Sequence, residues 1–184
     1  MRFLVGLILL GGVACTPTPE AEPEPKLNAL SSYRSFDTQI ASQVNVTADR
    51  MAGDWVIRER FAEQPGPVSG MELDVLPDGA LQWSYETGDC IEDVCFSEEN
   101  LVLLEPRGQG RWRPVGEDLG GFDVELWVLW MDFDDRTMAI GTPDGRFGLI
   151  LDKSSSGGAD RIAAARDIMK WFGYEVSRLE KVER

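Results

Sequence analysis

The chain has 184 residues, a net charge of −14 from 18 basic and 32 acidic side chains, and no histidine. This length suits one domain with a sizeable core. The acidic balance argues against nucleic acid as a partner, because phosphate binding needs clustered lysine and arginine. The lack of histidine excludes Ser-His-Asp and Cys-His catalysis and imidazole metal ligands. We therefore expect a protein that is not an enzyme and uses no metal or cofactor.

Residues 1–14 have the pattern of a processed export signal. Arg2 gives the positive start, residues 3–10 are apolar but too short to span a bilayer, and small residues lead to Cys15. The block resembles a bacterial lipoprotein signal, in which the cysteine becomes the lipidated first residue. The alternative is an ordinary secretion signal. We expect lipid anchoring at Cys15 and a location at the outer membrane, facing the periplasm.

Residues 15–26 predict a tether between this anchor and a folded domain. The run TPTPEAEPEPK at 16–26 is rich in proline and glutamate. Such a segment is extended and reaches about 30 Å. Because the whole chain is acidic, we expect acyl chains rather than a basic patch to hold it to a membrane.

Strand-like alternation begins at Gly53. The odd-numbered residues of 55–61 are Trp, Ile, Glu and Phe, which we expect to point inward, whereas Arg58 and Arg60 should give the strand a basic outer face. Seven further strands are predicted at 71–75, 81–86, 101–105, 111–115, 122–131, 137–142 and 147–152. Eight strands joined by short turns, with almost no helix before the end, predict an all-β fold, an antiparallel up-and-down barrel.

Between the third and fourth strands lies an acidic stretch, Glu86 to Glu99. We interpret it as a solvated loop rather than a calcium site, because its acids lack the spacing of a dedicated calcium loop. The stretch also holds Cys90 and Cys95, which in an exported protein predict a disulfide that closes a small loop. A redox or metal role is the weaker alternative, because the spacing is not Cys-x-x-Cys.

The sixth strand is apolar on both faces, so something must cover the outside of the barrel. Apolar residues recur at helical spacing over 158–172, and Gly173 follows as a helix-capping glycine would. We therefore predict one helix packed outside the barrel and a short ninth strand over 174–181. The barrel with this helix should span 51–184, and residues 27–50 should form an extension that closes its base.

Several motifs then occur in a characteristic order. Arg50-x-x-Gly53-x-Trp55 opens the first strand, an Asp-rich turn follows the sixth strand, and the seventh leads into Gly-Thr-Pro-Asp. A basic residue, Lys153, ends the eighth strand, and Gly-Tyr-x-Val-Ser closes the helix. In this order and spacing the chain resembles bacterial lipocalins from about Ile40 to Val182.

The resemblance implies a barrel floor built from Gly53, Trp55 and Lys153. In the family, the tryptophan packs across the closed end under an arginine from the end of the eighth strand. Lysine lacks the flat guanidinium that stacks on indole, so we expect a weaker contact here.

The resemblance also implies a small hydrophobic ligand in the barrel, such as a fatty acid or lysophospholipid, for storage or transport. Glu59 would be a polar member of the lining and would need a partner, because an isolated buried carboxylate is costly. The alternative is a filled barrel that acts as a structural or interaction module, and we expect a monomer or weak homodimer in either case. The expected lining residues are Ile57, Glu59, Leu73, Trp83, Tyr85, Leu103, Trp112, Trp127 and Trp130.

Overall fold

A computed structural model describes residues 32–62, 64, 66–91, 94–116 and 124–182, with only the backbone described for residues 89–91 and 94–96. These residues form two α-helices, nine β-strands and a short 3-10 turn at Val176–Arg178. Within them, neither α-helix combines the length and the apolar content that crossing a bilayer requires. The elements are α1 Ala48–Met51, β1 Gly53–Phe61, β2 Gly70–Val75, β3 Leu81–Ile91, β4 Val94–Gly108, β5 Arg111–Val115, β6 Leu126–Met131, β7 Thr137–Gly141, β8 Gly148–Asp152, α2 Ala159–Trp171 and β9 Leu179–Lys181.

The strands pair in sequence order, from β2 through to β8, and β1 then pairs with both β8 and β2 to close the barrel. All of these pairings are antiparallel. The ninth strand pairs with the C-terminal residues of β1, from Glu59 to Phe61. The predicted eight-stranded up-and-down barrel with an outer helix and a ninth strand is therefore confirmed.

The acidic stretch was predicted wrongly as a loop. β3 and β4 continue through it, so that Glu86 pairs with Glu99 and the ladder reaches Ile91 and Val94. Alternating acidic residues obscured the strand signal, while the apolar and aromatic residues around the hairpin tip favour a strand. The barrel consequently carries one long hairpin that extends at the end where β3 and β4 connect.

Two of the three register shifts between the described strands change which of the predicted lining residues face the interior. In β1 the register with β8 shifts between Ile57 and Glu59, and in β6 the register with β7 shifts between Val128 and Trp130. Each bulge adds one residue, which moves the following side chains to the opposite face of the sheet. The alternation expected from the sequence therefore fails after each of these points.

The core is divided into an inner and an outer cluster. The inner cluster fills the barrel and the outer one lies between the barrel wall and α2. In the outer cluster Phe61 stacks on Tyr33 with ring centroids 4.2 Å apart, and Ala165 and Met169 of α2 are fully buried. The inner cluster consists of Val46, Met51, Trp55, Ile57, Met71, Leu73, Leu81, Trp83, Tyr85, Val102, Leu104, Trp112, Leu126, Val128, Met131, Met138, Ile140, Phe147, Leu149 and Leu151.

Residues 32–46 cross the outside of the barrel before α1. At one end Tyr33 N donates to Gly145 O, and at the other Gln43 N donates to Val128 O. The β7–β8 turn is held by this segment and also by Tyr174 beyond α2, whose hydroxyl donates to Thr142 O at 2.7 Å. A Cβ on Gly145 would lie 2.4 Å from the Cβ of Arg34, and the φ of Gly145 is +68°, so glycine is required at this contact.

A buried carboxylate joins α2 to the barrel. Asp152, at the end of β8, accepts from Thr137 Oγ1 at 2.6 Å and from Arg161 Nη2 at 2.9 Å. Burial alone would raise the pKa of Asp152, but the hydrogen bonds from Thr137, from Ser154 N and from Arg161 outweigh it and hold the pKa below its ordinary value. The ionised form of Asp152 is therefore stabilised in the folded protein.

Candidate functional site

One end of the barrel is closed by α1 and by the motif that opens β1. Trp55 is buried, and its Nε1 donates to Met51 O at 2.7 Å. Lys153 Nζ lies 3.9 Å from the centroid of the Trp55 ring and donates to Ala52 O at 2.6 Å. Desolvation lowers the pKa of Lys153 despite the nearby carboxylates. Lys153 thus makes the contact over the indole ring of Trp55 that the resemblance to lipocalins implies.

Gly53 and Arg50 complete this closed end. The φ of Gly53 is +93°, and a Cβ there would lie 3.2 Å from Lys153 Nζ, so a side chain would be strained and would crowd the lysine. Arg50 Nε donates to Asp135 Oδ1 at 2.8 Å, and Arg50 Nη1 donates to Asn45 O at 2.7 Å. Arg50 therefore ties the β6–β7 turn and the N-terminal segment across the base of the barrel.

Five of the expected lining residues belong to the inner cluster: Ile57, Leu73, Trp83, Tyr85 and Trp112. Trp112 is the second residue of β5, just after the β4–β5 turn, and lies near the closed end. Trp83 contacts Tyr85, with ring centroids 4.8 Å apart, and Phe147, at 6.2 Å. Phe147 immediately precedes β8, so these three rings form an aromatic layer toward the open end. Burial raises the pKa of the Tyr85 hydroxyl, which keeps it protonated.

The other four expected lining residues lie on the outside. Glu59 follows the β1 bulge, is 3% exposed and pairs with Arg166 of α2. Leu103 is 38% exposed because Val102 and Leu104 are the inward residues of β4. Trp127 and Trp130 pack in the outer cluster. Trp127 also donates to Glu125 Oε2 at 2.8 Å and lies under Arg111. For these four residues the sequence interpretation was wrong.

Sequence reasoning missed Arg60 and Gln64 as polar groups at the open end. Arg60 pairs with Leu149, an inner-cluster residue, and directly opposite residues share a face of the sheet. Its Nη2 donates to Gln64 O at 2.6 Å, and desolvation lowers its pKa. Within the described residues, Arg60 Nε and Gln64 Nε2 are buried without a hydrogen-bond partner. No sequence signal marks the bulge that turns Arg60 inward.

The backbone of the long hairpin brings the two predicted disulfide cysteines together. Cys90 pairs directly with Cys95 in the β3–β4 ladder. Opposite residues of an antiparallel pair have Cα atoms about 4.5–5.5 Å apart, which lies within the range that a disulfide spans. The side chains of these cysteines lie outside the described part of the chain, so the disulfide stays a prediction.

Mass spectrometry checks this disulfide. We expect protein prepared from the envelope to resist alkylation at both cysteines until a reductant is added. Reduction should lower the free energy of unfolding by about 2 kcal/mol, because the closed loop restricts the unfolded chain. A Cys90→Ser, Cys95→Ser double variant serves as the control, since reductant should leave its stability unchanged. Two alkylated thiols in the unreduced protein would contradict the prediction.

Within the described residues, no group of three or more carboxylate or thiol side chains is arranged as a metal site. The inner cluster is apolar and aromatic. Polar atoms among or beside it include the Tyr85 hydroxyl, the indole nitrogens of Trp83 and Trp112, and Arg60.

Comparison with known proteins gives a fold relationship. No protein-family model matches the chain, and no curated protein sequence matches it either. A solved structure of the major allergen Per a 4 from cockroaches is similar to it, with a TM-score of 0.56 and 10% sequence identity over 79% of this chain and 94% of that chain. Together with the closed barrel and the outer helix, this similarity shows that the chain has a lipocalin-like fold.

Proposed function

We propose that the protein is a bacterial lipocalin of the cell envelope that binds a small hydrophobic ligand, such as a fatty acid or lysophospholipid, and that it acts by binding rather than catalysis. The observation that carries this proposal is the barrel itself. Its described inner face is apolar and aromatic, one end is sealed around Trp55, and the longer connections are at the other end. An eight-stranded barrel of this kind has room for one small ligand.

The packing of the interior limits a ligand to the open half. Leu81 and Leu104 pair toward the closed end and have no exposed surface, so the closed half is occupied by side chains. A ligand would rest on the aromatic layer of Trp83, Tyr85 and Phe147 and would displace side chains above it as it enters. Arg60 and Gln64 could pair with its polar head group, since each has a buried nitrogen without a hydrogen-bond partner in the described residues.

Ligand titration tests the proposal. Delipidated protein should bind palmitate or lysophosphatidylcholine saturably, with roughly micromolar affinity, because burial of one acyl chain exceeds the costs of association by several kcal/mol. Ligand should raise the melting temperature by mass action. Arg60→Met should weaken palmitate binding, whereas exposed Arg136→Met, at the closed end, should not. The absence of saturable binding in intact and delipidated protein would contradict the proposal.

A filled barrel that serves as a structural or interaction module is the second candidate. The full burial of Ile57, Trp83 and Leu104 favours it, because a void wide enough for water beside these side chains would leave part of their surface accessible. In this case, none of the lipids would bind and the native protein would contain no co-purifying lipid by mass spectrometry.

Lipid anchoring at Cys15 is the proposed route to the outer membrane, with the domain facing the periplasm. The signal-like block at 1–14 and the proline-rich run at 16–26 support it. We expect the wild type in the membrane fraction and a Cys15→Ser variant in the soluble envelope fraction, because the variant would lack the acyl chains. A wild type that is itself soluble in the envelope would contradict the anchor.

A further inference from the structure

A groove of about 630 Å³ lies outside the barrel, between α2 and the edge formed by β1 and β9. It is distinct from the interior, because its walls come from the outer faces of these elements. Ala159, Ile162 and Ala163 line the helix side, and Leu179 and Val182 line the strand side. The helix side spans from Ala159 to Arg166, which is about 10 Å of helix.

The groove carries a net positive charge, although the chain as a whole is acidic. Arg58, Arg166 and Lys181 line it together with one carboxylate, Glu59, whereas the whole chain carries −14. Arg166 Nη1 bonds Glu59, and Arg166 Nη2 donates to Val176 O at 2.9 Å. The charges of Arg166 and Glu59 cancel each other. Arg58 and Lys181 therefore give the groove its excess positive charge.

The two excess cations both line the groove and come from adjacent positions of the β1–β9 pairing. Lys181 is opposite Glu59 in this ladder, and Val182 N donates to Arg58 O at the next position. Arg58 Nη1 donates to the carbonyl oxygens of Ser154 and Gly157, both at 3.1 Å. Among the described residues, no carboxylate lies within ion-pair distance of either cation.

We propose that this groove is a second binding site, specific for a single-chain amphiphile with a carboxylate head group. The carboxylate pairs with Lys181 and Arg58, and the chain lies along Ile162 and Leu179. Charge complementarity identifies the head group, because two cations in one groove without ion-pair partners among the described residues attract an anion in an otherwise acidic protein. The apolar side chains between α2 and β9 favour an acyl chain over a fully polar anion.

Calorimetric titration with decanoate and decanol, both below their micelle concentrations, tests the site. We expect decanoate to bind and Lys181→Glu to reduce its affinity about tenfold, since the change replaces an attraction by a repulsion. Decanol should bind more weakly than decanoate, and with equal affinity to the wild type and Lys181→Glu. Lys170→Glu is the matched control, because Lys170 is an exposed lysine of α2 that does not line the groove. It should leave the decanoate affinity unchanged.

A steric variant separates this site from the barrel interior. Ala163 is exposed and lines the groove, so Ala163→Phe should fill the groove without disturbing either core cluster. This variant should lose decanoate binding and retain any binding of palmitate to the barrel. Equal decanoate affinity in the wild type, Lys181→Glu and Ala163→Phe would overturn the proposal. A synthetic TPTPEAEPEPK peptide and octanoate are compared as competitors for decanoate. If the peptide displaces decanoate at a lower concentration than octanoate does, the groove prefers an acidic peptide and the proposal is overturned.

Discussion

Replacing Trp83 by alanine should lower the free energy of unfolding by about 3–5 kcal/mol. Trp83 belongs to the aromatic layer, is 0% exposed, and contacts Tyr85 and Phe147. The neighbouring strands are joined by continuous ladders, so the barrel can collapse only partly into the space left behind. Urea unfolding followed by circular dichroism measures the change.

Trp171→Ala is the control for this substitution. It removes the same side chain from α2, where Trp171 is 77% exposed, and should cost less than about 1 kcal/mol. Trp83→Ala should also create an apolar cavity that binds a small apolar molecule such as benzene. If Trp83→Ala lowers the free energy of unfolding by less than about 1 kcal/mol, the prediction of a filled interior around Trp83 is wrong. The side chain would then border an existing cavity in the barrel.

Replacing Asp152 by asparagine should cost about 3 kcal/mol at neutral pH, because a carboxylate that accepts from Thr137, Ser154 and Arg161 is replaced by an amide with fewer acceptor sites. The pKa of Asp152 is lowered in the folded protein. Its contribution is therefore fully present above the ordinary carboxylate pKa of about 3.9 and is lost as the pH falls through the lower folded-state value.

Urea unfolding at several pH values between 7 and 3 checks this dependence. The difference in stability between wild type and Asp152→Asn should be constant down to about pH 5 and should shrink below about pH 4. Asp167→Asn, at an exposed position of α2, should match the wild type throughout. A difference between wild type and Asp152→Asn that stays constant to pH 3 would rule out the charged carboxylate as its source.

The barrel could be predicted from the sequence because strand alternation and turn residues are local signals. Pro77-Asp78-Gly79 and the glycines around Gln109 mark turns that the structure contains, and the apolar face of 158–172 correctly predicts an outer helix. Trp55 and Lys153 could be paired only through the motif order, because they are far apart in sequence. Their contact follows from closure of β1 against β8.

The orientation of individual side chains could not be predicted beyond the bulges. Glu59 and Phe61 continue the alternation of Trp55 and Ile57 in the sequence, yet one extra residue in the ladder sends them outward and Arg60 inward. Trp130 is displaced in the same way in β6. The orientation of Leu103 was predicted wrongly for another reason. Residues 101–104 are all apolar, so the sequence shows no alternation that would distinguish inward from outward side chains.

Hydrogen bonds hold the β7–β8 turn in place, so a ligand would enter the barrel from the opposite side of its rim. This turn is bonded to the N-terminal segment through Tyr33 and to the end of α2 through Tyr174, so its part of the rim moves only if the segment or the helix leaves with it. Any widening that admits a ligand must come from the opposite rim, where β2, β3 and β4 carry no such fastening among the described residues. A ligand would thus pass beside the long hairpin, on the side of the barrel away from α2.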